Sequence, residues 1–194
     1  MFIGKIVSSN SHIDYVCQVY GPAEAAATPQ PRDYAFGSFV AVEREEGGYL
    51  VGVIYNTVLL NPDYGSMGPR LSTQDQLIAF SPDYLAEKAT LVTIALLGAV
   101  SAQGEAAQGA PLVAANLDAR VRTLERDEIA AFHRAGGRLR LAYWPILMGM
   151  NHPLALPLMR QVIAALTDLF PDEAQRLAVL GGNLAWRERV QPAG

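Results

Sequence analysis

The stretch from Tyr34 to Asn56 constrains this chain most: two alternating apolar segments are joined by an acidic turn that ends in two glycines. Val40 and Val42 alternate with Phe39, Ala41 and Glu43, and on the return Leu50 and Ile54 alternate with Val51, Val53 and Tyr55. Side chains that recur every second residue line one face of a strand, and β-branched and aromatic residues suit that geometry. Glu46-Gly47-Gly48 tolerates the positive φ of a tight turn, so a β-hairpin is expected. Gly52 falls inside the return strand, where a missing side chain marks a bulge or a sharp bend of the kind a closing barrel needs.

Further strands are expected on either side. Phe2–Ser8 is the first, followed by a turn cluster at Ser8-Ser9-Asn10-Ser11. Ile13–Tyr20 is the second and places Tyr15, Cys17 and Val19 on one face. Gly21–Asp33, with three prolines, reads as a surface loop. Thr57–Leu60 prolongs the hairpin and Asn61-Pro62 ends it. Asp63–Arg70 is a glycine-rich loop, Ser72–Phe80 a short helical turn, and Ser81-Pro82-Asp83 starts a brief helix near 82–88. From Ala89 to about Ser101, Thr90, Val92, Thr93 and Ile94 favour a long strand, although periodicity alone does not separate it from a buried helix. Gln103–Pro111 reads as a loop and Leu117–Leu124 as the last barrel strand.

The character of the chain then changes. Glu125–Ala135 is a helix with Asp127 and Glu128 in its first turn, His133 and Arg134 in its last, and Gly136-Gly137 as a stop. Leu139–Trp144 is one more strand or an extended lead into Pro145. In Pro153–Phe170, residues Ala155, Leu158, Met159, Val162, Ile163, Leu166, Leu169 and Phe170 follow helical spacing. Pro171-Asp172-Glu173 starts another helix, expected to end at Gly181-Gly182, with Leu184 and Trp186 as a last apolar anchor before a fraying tail. The expected class is α+β: a small antiparallel or mixed β-barrel over residues 1–124, with a helical extension over 125–194 packing on it.

Composition narrows the function classes. Charged residues make up 18% of the 194, below the roughly 25% of an average globular protein, and this favours a partner or self-association. A net charge of −4 and a pI near 5.3 argue against a generally basic nucleic-acid binder. Cys17 is the single cysteine, so no internal disulfide forms, in keeping with a reducing cytoplasm. Met1–Ile6 lacks the blocks of a signal peptide, and the apolar runs Ala89–Val100 and Leu139–Met159 are respectively too short and too interrupted to span a bilayer. A cytoplasmic protein with no membrane role is expected.

Three pieces together carry a resemblance: Ile3-Gly4-Lys5-Ile6-Val7-Ser8, Phe36-Gly37-Ser38-Phe39-Val40-Ala41-Val42, and Leu50-Val51-Gly52-Val53-Ile54. The pattern resembles the HAS-barrel, the N-terminal module of HerA-type DNA-translocating ATPases that is also related to the barrel of ATP synthase subunits. The resemblance covers residues 1–124 and implies a barrel that packs around a ring or docks a partner, with DNA-end processing as its setting. The chain departs from the ATPases where their chemistry lies: it contains no G-x-x-x-x-G-K-[ST], and its one Gly-Lys pair, Gly4-Lys5, is followed by isoleucine. None of the ATPase's catalytic residues carries over.

The remaining chemistry-bearing residues point the same way. His12, His133 and His152 are scattered without metal-ligand spacing, and the dipole accounts for His133 at a helix end. Cys17 reads as core, Gly65-Ser66-Met67-Gly68 as a loop rather than a nucleophile elbow, and Glu43, Glu45 and Glu46 as a solvated hairpin tip. No catalytic, cofactor-binding or metal-binding residue is expected, and no cofactor. The segment 120–140 is locally basic. Its Arg120, Arg122, Arg138 and Arg140 either touch phosphate or form a solvated face paired with Glu125, Asp127 and Glu128. Tyr143–Met150 is an apolar loop, either core or interface. The expected contact residues are therefore Arg120, Arg122, Arg138, Arg140, Trp144 and Met148. The leading expectation is a non-enzymatic assembly module that binds itself, a HerA-like ATPase or its nuclease partner. A small-ligand barrel or uncharacterised enzyme comes second, and a direct nucleic-acid binder through the 120–140 arginines third.

Overall fold

Six antiparallel strands close on themselves: β1 (Phe2–Ser11), β2 (Asp14–Val19), β3 (Phe39–Glu43), β4 (Tyr49–Leu60), β5 (Ala89–Val100) and β7 (Arg120–Thr123). The computed structural model describes residues 1–22, 24–25, 27–61 and 89–190, without the side chains of 135 and 187–190. The loops and turns expected over 63–80, and the helix near 82–88, lie outside the described residues. Around the barrel the order is β1, β2, β5, β4, β3, β7, and β7 pairs back onto β1. One edge of β5 serves two partners in turn: β2 pairs along residues 91–95, and a short β6 (Ala106–Gln108) pairs along 98–100.

Alternation along the central hairpin sorts side chains between two cores rather than between core and water. Val40, Val42, Leu50 and Ile54 point into the barrel with Ile3, Ile6, Tyr15, Cys17, Val92, Ile94, Leu96 and Val121. Phe39, Ala41, Val51, Val53 and Tyr55 face outward, and they too are buried, under the C-terminal helices. At roughly 1.5–3 kcal/mol for each large side chain buried, neither face of β3 and β4 can be left wet. Close packing explains the glycine in β4. A methyl group at Gly52 would overlap Ile94 Cγ2 and lie 3.1 Å from the Ala95 carbonyl oxygen, and the β4–β5 register shifts at this residue.

The covering layer is α1 (Arg126–His133), a two-stranded ribbon of β8 (Arg134–Ala135) and β9 (Arg138–Leu139), then α2 (Trp144–Met148), α3 (Ala155–Leu169) and α4 (Ala174–Val190). A reciprocal capping box starts α1: the Glu125 side chain accepts from the backbone of Glu128, whose own carboxylate accepts from Glu125 N at 2.9 Å. Leu158, Met159, Val162, Ile163 and Leu166, spaced by three and four residues, form the buried face of α3. Among the described residues, no helix is long and apolar enough to cross a membrane.

Several local expectations give way to tertiary pairing. Strand β1 does not turn at Ser8 but continues through Ser11, because β2 pairs along its whole polar end across two register shifts. The expected loop 103–111 contains β6, whose Ala-Ala-Gln sequence has little strand propensity of its own. The segment after Leu139 is not extended up to Pro145. It turns and forms α2, so Tyr143–Met150 is partly helical. Helix α4 does not stop at Gly181-Gly182. Two helical glycines cost about 1 kcal/mol each, less than the burial of Leu177 on one side and Leu184 on the other contributes.

Candidate functional site

The arginines of the 120–140 segment divide into two groups. Arg120 and Arg122 flank the inward-facing Val121 and share one face of β7, as their spacing predicts. Arg120 Nη2 donates to Glu43 Oε2 at 2.8 Å, and its guanidinium sits 4.3 Å over the Phe2 ring. Arg122 makes a two-pronged pair with Glu128 at 2.8 and 2.7 Å and lies over Tyr49. That pairing is the main reason the Glu128 carboxyl is held below the usual carboxylate range. Arg126 donates to the Asp168 carbonyl at 2.7 Å and Arg134 pairs with Asp172 while covering Phe170. Arg120 links strands of the barrel to one another, Arg122 links the barrel to α1, and Arg126 and Arg134 tie the helical layer to itself. Arg138 and Arg140 behave differently: both are exposed, and neither side chain has an ion pair or hydrogen bond among the described residues.

The other singled-out residues also have clear positions. Cys17 is buried in the barrel, and burial pushes its thiol up to about 12, far from a reactive thiolate. His12 Nε2 donates to the Pro111 carbonyl at 2.7 Å, and His152 Nδ1 accepts from Leu154 N at 3.1 Å. On the acidic hairpin tip, Glu43 is taken by Arg120 and Glu46 by Arg44. His133 is not a dipole-stabilised cation at a helix end. It is fully buried, and desolvation lowers its pKa to about 4, which outweighs the opposing pull of its bond to Ile129. Nδ1 donates to the Ile129 carbonyl, which leaves Nε2 to accept from the Tyr143 hydroxyl.

The apolar segment around Trp144 contributes to both core and surface. Tyr143 and Leu147 are fully buried, Trp144 and Ile146 are half-buried, and Met148 is exposed. Trp144 forms one wall of a groove of about 380 Å³ with Leu139, Leu141, Val179, Leu180 and Arg176. Arg176 Nη1 also donates to the Leu139 carbonyl at 3.2 Å, which fixes one side of the groove. Val179, on the groove wall, is 62% exposed. Arg138 and Arg140 flank Leu139 along the chain, but the alternation of an extended segment turns their side chains away from the face that Leu139 and Leu141 present to the groove, and neither lines it.

Gln108, absent from the sequence-derived set, holds this region in place. Its Nε2 donates to the carbonyls of Phe132 and Arg140 at 2.9 Å each, while Oε1 accepts from Ala142 N at 2.7 Å. One side chain from β6 thus satisfies three backbone groups of the α1–α2 connection. Leu141, Arg176, Val179 and Leu180 were also missed. Their one signal in the sequence is that Val179 falls off the Leu177–Leu184 face of a helix whose length was underestimated.

Among the described residues, no three His, Cys, Asp or Glu side chains converge as metal ligands would. A shallow depression along Tyr49, Val100, Asp127, Glu128 and Phe132 contains two carboxylates, of which Arg122 already engages Glu128. No curated protein matches this chain. A family model described as a domain of unknown function, DUF8166, matches residues 1–193, and the chain, barrel and helical layer alike, belongs to that family.

Proposed function

We propose that this protein is a non-enzymatic assembly module: a β-barrel with a helical face that docks on a protein partner. The observation that carries the reading is the groove at Trp144, an apolar surface left open in a helical layer whose other large side chains are mostly buried. Trp144 and Arg176, which line the groove, are of the residue types that protein interfaces concentrate. The barrel interior is filled by Ile3, Ile6, Leu50, Ile54, Ile94 and Leu96, which weighs against a small-ligand lumen. The HAS-barrel resemblance of residues 1–124 makes a HerA-like DNA-translocating ATPase, or the nuclease that works with it, the first partner to test.

Co-expression of the chain with a HerA-like ATPase and its nuclease from the same source, followed by size-exclusion chromatography, tests the proposal. Co-elution at the mass of an assembly is the expected result. Elution of the chain alone as a monomer overturns it.

Direct nucleic-acid binding through the arginines is a second reading, favoured by Arg138 and Arg140, which have no ion pair among the described residues. Arg120, Arg122, Arg126 and Arg134 are already engaged within the chain, so few phosphate contacts remain. Binding to oligonucleotides that is steeply weakened by salt would promote this reading.

A further inference from the structure

We infer that α4 pairs antiparallel with α4 of a second copy of this chain, crossing at Gly182 and seating Trp186 of each copy in the Trp144 groove of the other. The inference rests on the assembly reading and names the occupant of its groove.

Helix α4 carries two apolar stripes where a surface helix has one. Leu177 and Leu184, two turns apart, are buried in the core under the helical layer. Val179, Gly182, Asn183 and Trp186 follow the i, i+3, i+4, i+7 spacing of a second stripe, and all four are exposed. Val179 and Trp186 each leave 62% of their surface to solvent. From Leu177 to Trp186 the helix has no ionisable residue on any side. A helix without a charged outer face is one whose outer face is covered as well.

The glycines indicate how close that cover comes. Each costs about 1 kcal/mol of helix stability relative to alanine. Nothing lies within 4 Å of a methyl group built at Gly181 or Gly182, so no contact within the described chain needs them. A neighbouring helix that crosses at Gly182 does need one, because the missing side chain lets the two backbones approach.

The groove and its filler lie on the same helix, and this argues for a second copy. Val179 and Leu180 form one wall of the groove. Trp186 does not line it and stands about 9 Å beyond Leu180 along α4, at about 1.5 Å per residue. A two-fold axis through Asn183 reverses that offset, so Trp186 of one copy falls opposite Leu180 of the other. Both grooves are then filled at once, as a self-complementary contact requires. Each copy has a net charge of −4, yet the facing stripes contribute none of it, so like charges do not meet at the contact. The two Asn183 side chains meet at the axis, where reciprocal amide hydrogen bonds fix the register. One helix face with one groove lies near the lower end of specific interfaces, about 1,200 Å² in total. A dimer that dissociates on dilution is therefore expected.

Sedimentation velocity on the full chain, from about 1 μM to about 1 mM, tests this. The dimer should grow in with concentration. Gly182→Leu should weaken it at least about tenfold. The same change should raise the thermal midpoint of dilute protein, because leucine is the better helix former. Trp186→Ala should weaken the dimer by at least about tenfold without lowering that midpoint. Asn183→Cys should cross-link to its copy on oxidation, and the native Cys17 is buried and does not compete. A chain that stays monomeric throughout the range overturns the inference. So does a dimer that Gly182→Leu and Trp186→Ala leave intact, because its interface would lie elsewhere. An ATPase complex that Trp186→Ala abolishes, formed by a chain that is monomeric alone, also overturns it, because the stripe would belong to the ATPase. Failure to dimerise beside intact co-elution with the ATPase removes this inference and leaves the assembly reading standing.

Discussion

The Tyr143 hydroxyl donates to Nε2 of His133 at 2.8 Å, inside the seam where the helical layer meets the barrel. Phe39 of the hairpin, Phe132 and Tyr143 stand edge-on to the imidazole at 5.1–5.6 Å, and Phe170 lies tilted at 6.4 Å. A neutral histidine with both nitrogens satisfied is therefore part of what holds the two layers together.

This seam should make the fold acid-sensitive. His133 titrates near 4 when folded and near 6.5 when unfolded, so between these values the unfolded chain binds the extra proton. Its contribution is fully present above about pH 6.5 and declines as the pH falls toward 4, by on the order of 3 kcal/mol. Urea denaturation at pH 7.5 and 4.5 should show the loss, and His133→Gln should remove most of that slope. An unchanged slope in the variant would contradict the assignment.

Tyr143→Phe keeps the ring and deletes the donor, leaving Nε2 of His133 buried without a partner. A loss of about 1–3 kcal/mol is expected at neutral pH, measurable as a lower denaturation midpoint.

Gln108→Ala should strand the carbonyls of Phe132 and Arg140 and the amide of Ala142. Water reaches part of this region, so the expected cost is about 1–2 kcal/mol. Hydrogen exchange should speed up at the Ala142 amide while the barrel strands keep their protection. Uniform loosening of the barrel would mean that Gln108 has a wider role.

Gly52→Val should be among the most damaging single changes, because the added side chain meets Ile94 and the β5 backbone in a filled barrel. Overpacking of this kind costs about 1–3 kcal/mol or more, and thermal unfolding would register it.

Gly181→Ala and Gly182→Ala should stabilise the protein. Nothing lies within 4 Å of a methyl group at either position, and both residues sit inside α4. A gain of about 0.5–1 kcal/mol each is expected from helix propensity. A destabilising result would show that the glycines are needed where they are.

Much of the barrel could be read from local pattern. Alternation at Val40/Val42 and Leu50/Ile54, the Gly47-Gly48 turn and the β-branched run from Ala89 all correspond to observed strands, because strand period and turn chemistry are properties of neighbours in the chain. The two-sided burial of β3 and β4 was not legible: alternation assigns residues to faces and is silent on what covers the second face. The arginine spacing at 120 and 122 placed both residues on one side, yet their carboxylate partners are Glu43, distant in sequence, and Glu128. The Trp144 groove was only half visible, since its opposite wall comes from α4, and the period of a helix is silent on which distant element its face meets.

By itself, the sequence determined the elements whose signals repeat within a few residues: the hairpin, the long strands and the amphipathic helix α3. Tertiary structure alone decided the partners: β6 on the edge of β5, Gln108 on the α1–α2 connection, His133 in an aromatic seam, and Arg120 on Glu43. Propensity and period act between chain neighbours. Desolvation, ion pairing and edge pairing depend on which distant groups the closed barrel brings together.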